Sequence, residues 1–369
     1  MIIQNLTLIN HRNYELENVV FHENTNILVG DNAQGKTNLL ESIYILARGS
    51  TFKNVKENNI IRFECENSYV KADILNGNRK KTVEVKFSQS DKKRIRINEV
   101  EIEKLNELRS QFGVVLFSPE DLKIVKEGPI LRRKFIDDII ANNDINYRRY
   151  LNKYTKILNQ RNNLLKKRSR DKYFEQMLKA LDKQLVDYGS KVVIYRYKYI
   201  EMLKILAIDY HSKLTDEKEV LSINYDTNVG EDLSSLSQIE KDYYKNLEAS
   251  LARDLEYRNT YIGSHKDDID LYINEMDVKL YASQGQQRTT MLSLKLAEMA
   301  LIEKLSKSKP ILLLDDVFSE LDNYRASSLV KNIEGYQNII TTNNLDNLDL
   351  EKLNGQVLQI VNGRIKDYR

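Results

Sequence analysis

Eight consecutive residues constrain this chain more than any others: Gly30-Asp31-Asn32-Ala33-Gln34-Gly35-Lys36-Thr37. Their spacing, G-x-x-x-x-G-K-T, is that of a P-loop. Ahead of it runs Ile27-Leu28-Val29, a continuous apolar run of the kind that makes a fully buried strand. Behind it Leu39, Leu40, Ile43 and Leu46 recur at helical steps. In that order, strand, glycine turn and helix aim successive backbone N–H groups and a positive helix end at one point. Lys36 then supplies charge at the β- and γ-phosphates, and the Thr37 hydroxyl can ligate Mg²⁺. Residues 30 to 38, Asn38 included, are expected to bind ATP with Mg²⁺.

Such a loop needs an acid at the tip of a second buried strand. Ile311-Leu312-Leu313-Leu314-Asp315-Asp316 supplies four apolar residues and two carboxylates. Asp315 is expected to hold Mg²⁺, directly or through water, and Asp316 to orient and polarise the attacking water. Lys36 and Asp316 are thus the candidate catalytic pair.

The rest of the chain divides by pattern. Val83, Val85 and Phe87, then Ile95 and Ile97, alternate as strands do, and Asn76-Gly77 marks a hairpin. Val114 to Phe117 and Asn338 to Thr341 read as further strands, as do Ile269 to Ile273 and Gln356 to Val361. No proline lies between Pro129 and Pro310, which permits long helices. There Leu151, Tyr154, Leu158 and Leu165, then Phe174, Leu178, Leu181, Leu185 and Tyr188, recur at three- and four-residue steps. The expected fold is α/β, an ATPase head of mixed sheet and helices in two parts, 1–125 and 256–369. A mostly helical arm, 126–255, is inserted between them.

Just before the second acidic strand stands Ala282-Ser283-Gln284-Gly285-Gln286-Gln287-Arg288. It resembles the ABC signature, usually L-S-G-G-Q, with Ala282 in place of leucine and Gln284 in place of the first glycine. Ser283 at a helix start can take a phosphate, or can simply cap the helix. Ser319-Glu320-Leu321-Asp322 resembles the ABC D-loop. The resemblance implies an ABC-type head in which Ser283, Gln284, Gly285, Gln286 and Arg288 act in trans on the ATP of a second copy, with Ser319 and Asp322 alongside. The family's usual histidine is missing: Thr342 stands about where it belongs. Phe117-Ser118-Pro119-Glu120-Asp121 occupies the region of the usual glutamine loop. Both departures point to slow hydrolysis.

Three further segments resemble the RecF family: Pro119-Glu120-Asp121-Leu122, the run from Leu314 through Arg325, and Gly263-Ser264-His265-Lys266-Asp267-Asp268 for its G-P-H-R-D-D. The similarity extends from Arg12-Asn13-Tyr14 to the last strands. It implies a head like those of SMC proteins with a shortened arm, and a place for Arg12 in the ATP site. It also implies an ATP-dependent homodimer, binding to gapped, single-stranded and double-stranded DNA, and work with RecR and RecO in loading RecA.

Charge supports a DNA partner. From Arg148 to Lys172 ten basic residues face one acidic residue, a net +9, whereas the whole chain carries +3. Arg148, Arg149, Lys153, Lys156, Arg161, Lys166, Lys167 and Arg168 are the candidate DNA contacts, with Tyr147, Tyr150 and Tyr154 interleaved. The alternative is a solvated helix face. One cysteine, Cys65, excludes an internal disulfide and fits a reducing cytoplasm. No apolar run approaches the ~18 residues of a membrane span, and the first residues hold no apolar core of signal-peptide length. Two other functions fit the same head. A transporter's ATP-binding subunit would lack the basic stretch, and a scaffold would bind ATP without turning it over.

Overall fold

The computed structural model of the chain describes residues 1–53, 55–167, 172–345 and 354–368. Two compact units divide it. One comprises Met1–Leu122, Lys213–Glu217 and Leu292–Arg369; the other comprises Lys123–Ser212 and Lys218–Met291.

In the first unit the alternating segments pair as an antiparallel sheet of six strands. Its order is Tyr14–Val20, Ile2–His11, Asn67–Asn76, Arg79–Ser88, Arg94–Ile97, Val100–Ile102. Asn67–Asn76 alternates buried and half-buried residues along its length, because one face packs on the core and the other does not. Asn76-Gly77 makes the expected hairpin, with Gly77 at φ 58°.

The continuous apolar segments build a second sheet, ordered Arg364–Tyr368, Gly355–Val361, Thr25–Val29, Asn338–Thr342, Ile311–Asp315, Val114–Phe117. All neighbours run parallel except the last hairpin of the chain. Ile311–Asp315 and Asn338–Thr342 are buried at every position, as strands covered on both faces must be. The helix Lys36–Arg48 packs Leu39, Leu40 and Ile43 into one core with Ile3, Leu6 and Leu8 of the antiparallel sheet and Leu28, Leu313 and Ile339 of the parallel one. Asn338–Thr342 lies between the P-loop strand and Ile311–Asp315, in a register that pairs Thr342 with Val29 and Thr341 with Asp315. The carboxyl ends of three strands therefore meet, which is where open α/β sheets bind ligands.

The second unit holds the long helices. Ile145–Lys166 begins at Asp144, whose carboxylate accepts from the N–H groups of Asn146 and Tyr147. Lys172–Thr215 runs 44 residues, about 66 Å at 1.5 Å per residue, before its last turn enters the first unit. Leu164, Leu165, Phe174 and Leu178 join these two helices. The unit also contains a three-stranded sheet, Met276–Asp277, Asp268–Ile273, Leu221–Asp226. The strand expected near Ile269 thus pairs here, and Leu221–Asp226 is a strand inside the stretch read as helical. Its apolar positions Leu221 and Ile223 alternate, but over too few residues to stand out among long helices. Among the described residues no helix is long and apolar enough to cross a membrane.

Candidate nucleotide site and arm

The phosphate loop leaves the sheet at Gly30, where a Cβ would stand 2.4 Å from the Ile360 carbonyl oxygen; no side chain fits. It turns back through Ala33 at φ 65° and Gly35 at φ 119°, a conformation that glycine adopts without strain. Three side chains brace it. Asn13 Nδ2 donates to the Gln34 carbonyl at 2.8 Å, Tyr14 Oη donates to the Gly35 carbonyl at 3.0 Å, and Asn38 Nδ2 donates to Asn13 Oδ1 at 2.9 Å. The Lys36 ammonium folds over the loop, donating to the carbonyls of Gly30 and Asp31 (2.9 Å to the latter) and to Asn343 Oδ1 at 2.8 Å. Burial pulls Lys36 below its ordinary pKa, against the opposing pull of Asp316, Asp315 and Asp31.

Across the loop, Asp315 Oδ1 accepts from Thr37 Oγ1 at 2.7 Å and from Thr341 Oγ1 at 2.8 Å. Hydroxyl and carboxylate oxygens held in contact suit a hard divalent cation such as Mg²⁺. Asp316 stands next to them at φ 53°, in the left-handed region. Its N–H donates to Thr341 Oγ1 at 2.9 Å, while its Oδ1 is buried and accepts no hydrogen bond. A strained backbone and an unsatisfied buried carboxylate oxygen both cost stability, and such costs cluster at functional sites. Asp31 to Asn38 line one cleft with Pro119, Asp315, Asp316, Thr341 and Asn343. The loop, the lysine and the oxygen donors fit ATP with Mg²⁺.

Arg12 lies beside this cleft rather than among its lining residues. It forms a fork on Glu41, with Nε–Oε2 at 2.9 Å and Nη2–Oε1 at 2.7 Å. Glu41 is fully buried on the helix that follows the loop, and Lys53 shares its carboxylate while donating to Asn38 Oδ1 at 2.7 Å. Sequence reading missed Asn13, Tyr14, Lys53, Thr341 and Asn343. Asn13 and Tyr14 follow Arg12 directly, and Thr341 and Asn343 flank the Thr342 that stood in for the missing histidine, so for these four the signal lay one or two residues away; Lys53 had none. Thr342 itself is buried and donates to the Asn344 carbonyl at 2.7 Å.

The signature residues belong to the second unit, where Gln284–Ser306 begins. Ser283 Oγ accepts from the Gln286 N–H at 3.3 Å and Gln286 Oε1 accepts from the Ser283 N–H at 2.9 Å, a reciprocal cap. Ser283 and Gln284 remain exposed, and Gly285, Gln286 and Arg288 are half-buried. Of the D-loop residues, exposed Ser319 donates to the Asp316 carbonyl at 2.7 Å, and exposed Asp322 caps the helix Asn323–Asn332. The segment Gly263–Asp268 is internal scaffolding of the second unit. Buried Asp267 accepts from Arg196, Tyr225 and Thr227, and Asp268 pairs with Arg132 at 2.7 Å.

Along the arm helix the basic residues separate. Arg149, Lys153, Lys156, Lys166 and Lys167 are exposed, and Arg148 is half-buried with its guanidinium donating to the Ala141 carbonyl. Arg161 corrects the sequence reading. It is fully buried and paired at 2.6 Å with both Asp182 and Asp254, so its charge is neutralised within the unit and no phosphate can reach it. Arg168 lies outside the described residues. Tyr147 and Tyr154 are buried; Tyr150 is half-exposed.

A profile of the RecF/RecN/SMC N terminal domain matches residues 2–360. The DNA replication and repair protein RecF of Clostridium perfringens is 38% identical over 368 residues, 99% of this chain and 100% of that protein. Its counterpart in Alkaliphilus oremlandii is 40% identical over 367 residues, again 99% and 100%. The solved structure of the recombination mediator protein RecF with ATPrS in the RecFOR pathway matches with a TM-score of 0.90 at 34% identity, over 100% of this chain and 98% of that one. An Smc head domain from Pyrococcus furiosus matches at 0.58 and 15% identity, over 99% and 95%, a likeness of fold.

Proposed function

Because the chain belongs to the RecF/RecN/SMC N-terminal domain family, we propose that it is an ATP-gated clamp on DNA at work in recombinational repair. Two copies close on ATP, grip DNA at gaps and duplex junctions, and reopen on slow hydrolysis. RecR and RecO are its partners in loading RecA, a reading supported by the RecFOR pathway to which the solved RecF structures are assigned. The observation that carries the ATPase reading is Asp316, held in a strained conformation with a buried, unsatisfied oxygen beside the bonded Thr37–Asp315 pair.

In this reading the loop N–H groups and Lys36 hold the phosphates, and Lys36 exchanges its carbonyl and amide acceptors for phosphate oxygens. Thr37 and Asp315 are the residues that would hold Mg²⁺, which when bound would neutralise charge on the phosphates. Asp316 orients a water through the oxygen that lacks a partner. Its side chain is one methylene shorter than the glutamate usual there, so the water is less well aligned and turnover is slow. Ser283, exposed at a helix start, completes the site of the opposite copy, which makes a two-fold interface.

Gel filtration tests this. ATP, and not ADP, should shift wild type to a dimer, and Ser283→Arg should stay monomeric while binding ATP normally. A dimer that forms without nucleotide, or with Ser283→Arg, would overturn the reading.

A further inference from the structure

The arm carries a second chemistry besides charge. Tyr188, Tyr195 and Tyr199 stand seven and eleven residues apart on Lys172–Thr215, hence on one face over about 16 Å. Tyr150 reaches them from the opposing helix, its ring centroid 6.5 Å from that of Tyr188 and 6.0 Å from that of Tyr195. All four residues are half-buried, whereas Tyr147 and Tyr154 are buried. Cations attend them. Lys153 Nζ is 4.9 Å from the Tyr188 centroid and donates to its hydroxyl at 3.0 Å, and Lys191 Nζ is 5.4 Å from Tyr188 and 5.5 Å from Tyr150. Arg149 and Lys156 lie exposed on the same helix as Tyr150.

We propose that Tyr150, Tyr188 and Tyr195 form a stacking strip for the unpaired bases of single-stranded DNA, with Lys153, Lys191 and Arg149 taking the adjoining phosphates. The proposal rests on the reading of the arm as a DNA-binding element. A base has a π-face whatever its identity, so stacking holds a strand without reading its sequence. An arriving base displaces a lysine ammonium from a ring, and base stacking outweighs a solvent-exposed cation–π contact. The freed Lys153 ammonium is then available to a phosphate of that strand, while Lys191 is also held by Asp187 at 2.6 Å. In a duplex each base is covered by its neighbours, so the rings offer it nothing.

The chain has no tryptophan, so its ultraviolet emission is that of tyrosine. Oligo-dT should quench that emission and duplex of equal length should not. The double variant Tyr188→Leu/Tyr195→Leu should bind oligo-dT roughly tenfold more weakly, with duplex affinity and salt slope unchanged. Tyr188→Phe/Tyr195→Phe, which keeps both rings, should bind oligo-dT as wild type does. Equal oligo-dT affinity of the leucine variant and wild type would overturn the strip even if the arm still binds duplex. Wild type that binds no DNA at all would overturn the arm reading and the strip together.

Discussion

Asp316 adopts φ 53° at the mouth of the site, a conformation that a non-glycine residue holds at a cost of about 1–3 kcal/mol. Packing maintains it, since its N–H is fixed on Thr341 and the strand before it is buried throughout. Glycine would carry no such strain, so Asp316→Gly should raise stability by about 1 kcal/mol in urea denaturation while abolishing ATP hydrolysis. Asp316→Asn keeps the backbone but loses the charge that, in the proposed reading, polarises the attacking water. It should bind ATP normally, hydrolyse it at least about a hundredfold more slowly, and accumulate as dimer in gel filtration. Normal turnover by Asp316→Asn would assign the base to another residue. Lys36→Ala removes the ammonium that the loop carbonyls and Asn343 hold ready, and calorimetry should show ATP binding lost.

The arm is an element with two surfaces of opposite character. On the inner one, Arg161 joins Ile145–Lys166 to Asp182 of the long helix and to Asp254 of the helix Leu251–Tyr257. Arg161→Met would leave Asp254 buried without its cation, and should cost about 3–5 kcal/mol in chemical denaturation. Adding Asp254→Asn should return part of that loss, because the uncompensated charge is its source. On the outer surface Lys166 and Lys167 are exposed near the end of the same helix. Each phosphate contact releases counterions, so log affinity falls with log salt by about 0.9 per contact on duplex. Lys166→Ala/Lys167→Ala should make that slope shallower by about one to two units in fluorescence anisotropy, with ATP binding unaffected. Unchanged slopes would leave these lysines as a solvated face. A net charge read from sequence could not separate the two surfaces: both arginine and lysine count as +1, and helical phase with respect to a neighbour decides which is buried.

Across the whole molecule, burial disfavours the charged form of His11 and of His265, which lie in different compact units. Burial pushes His11 in the first unit and His265 in the second from 6.5 down to about 4. Between those values the unfolded chain binds the proton and the folded chain does not. Stability is therefore complete above about pH 6.5 and falls as pH drops toward 4, by about 3 kcal/mol per histidine. Thermal melts at pH 7 and pH 5 should show a larger drop in Tm for wild type than for His11→Gln or His265→Gln; equal drops would exclude the histidines as its source. At this scale much of the nucleotide chemistry was legible in one dimension. The loop from Gly30 to Thr37 and the strand from Ile311 to Asp316 each carry their motif within a few contiguous residues, where backbone conformation and side-chain order are local properties. The resemblance to the RecF family extended that reading to the whole chain for the same reason, through short motifs. What only folding decided were the contacts between distant segments. Lys36 meets Asn343 across 307 residues and Thr37 meets Asp315 across 278, because sheet order, and not sequence order, brings strand ends together. Folding likewise took Arg161 into an ion-paired interior and left Tyr150, Tyr188 and Tyr195 at the surface. Burial depends on what packs against a helix, and no stretch of that helix records its neighbour.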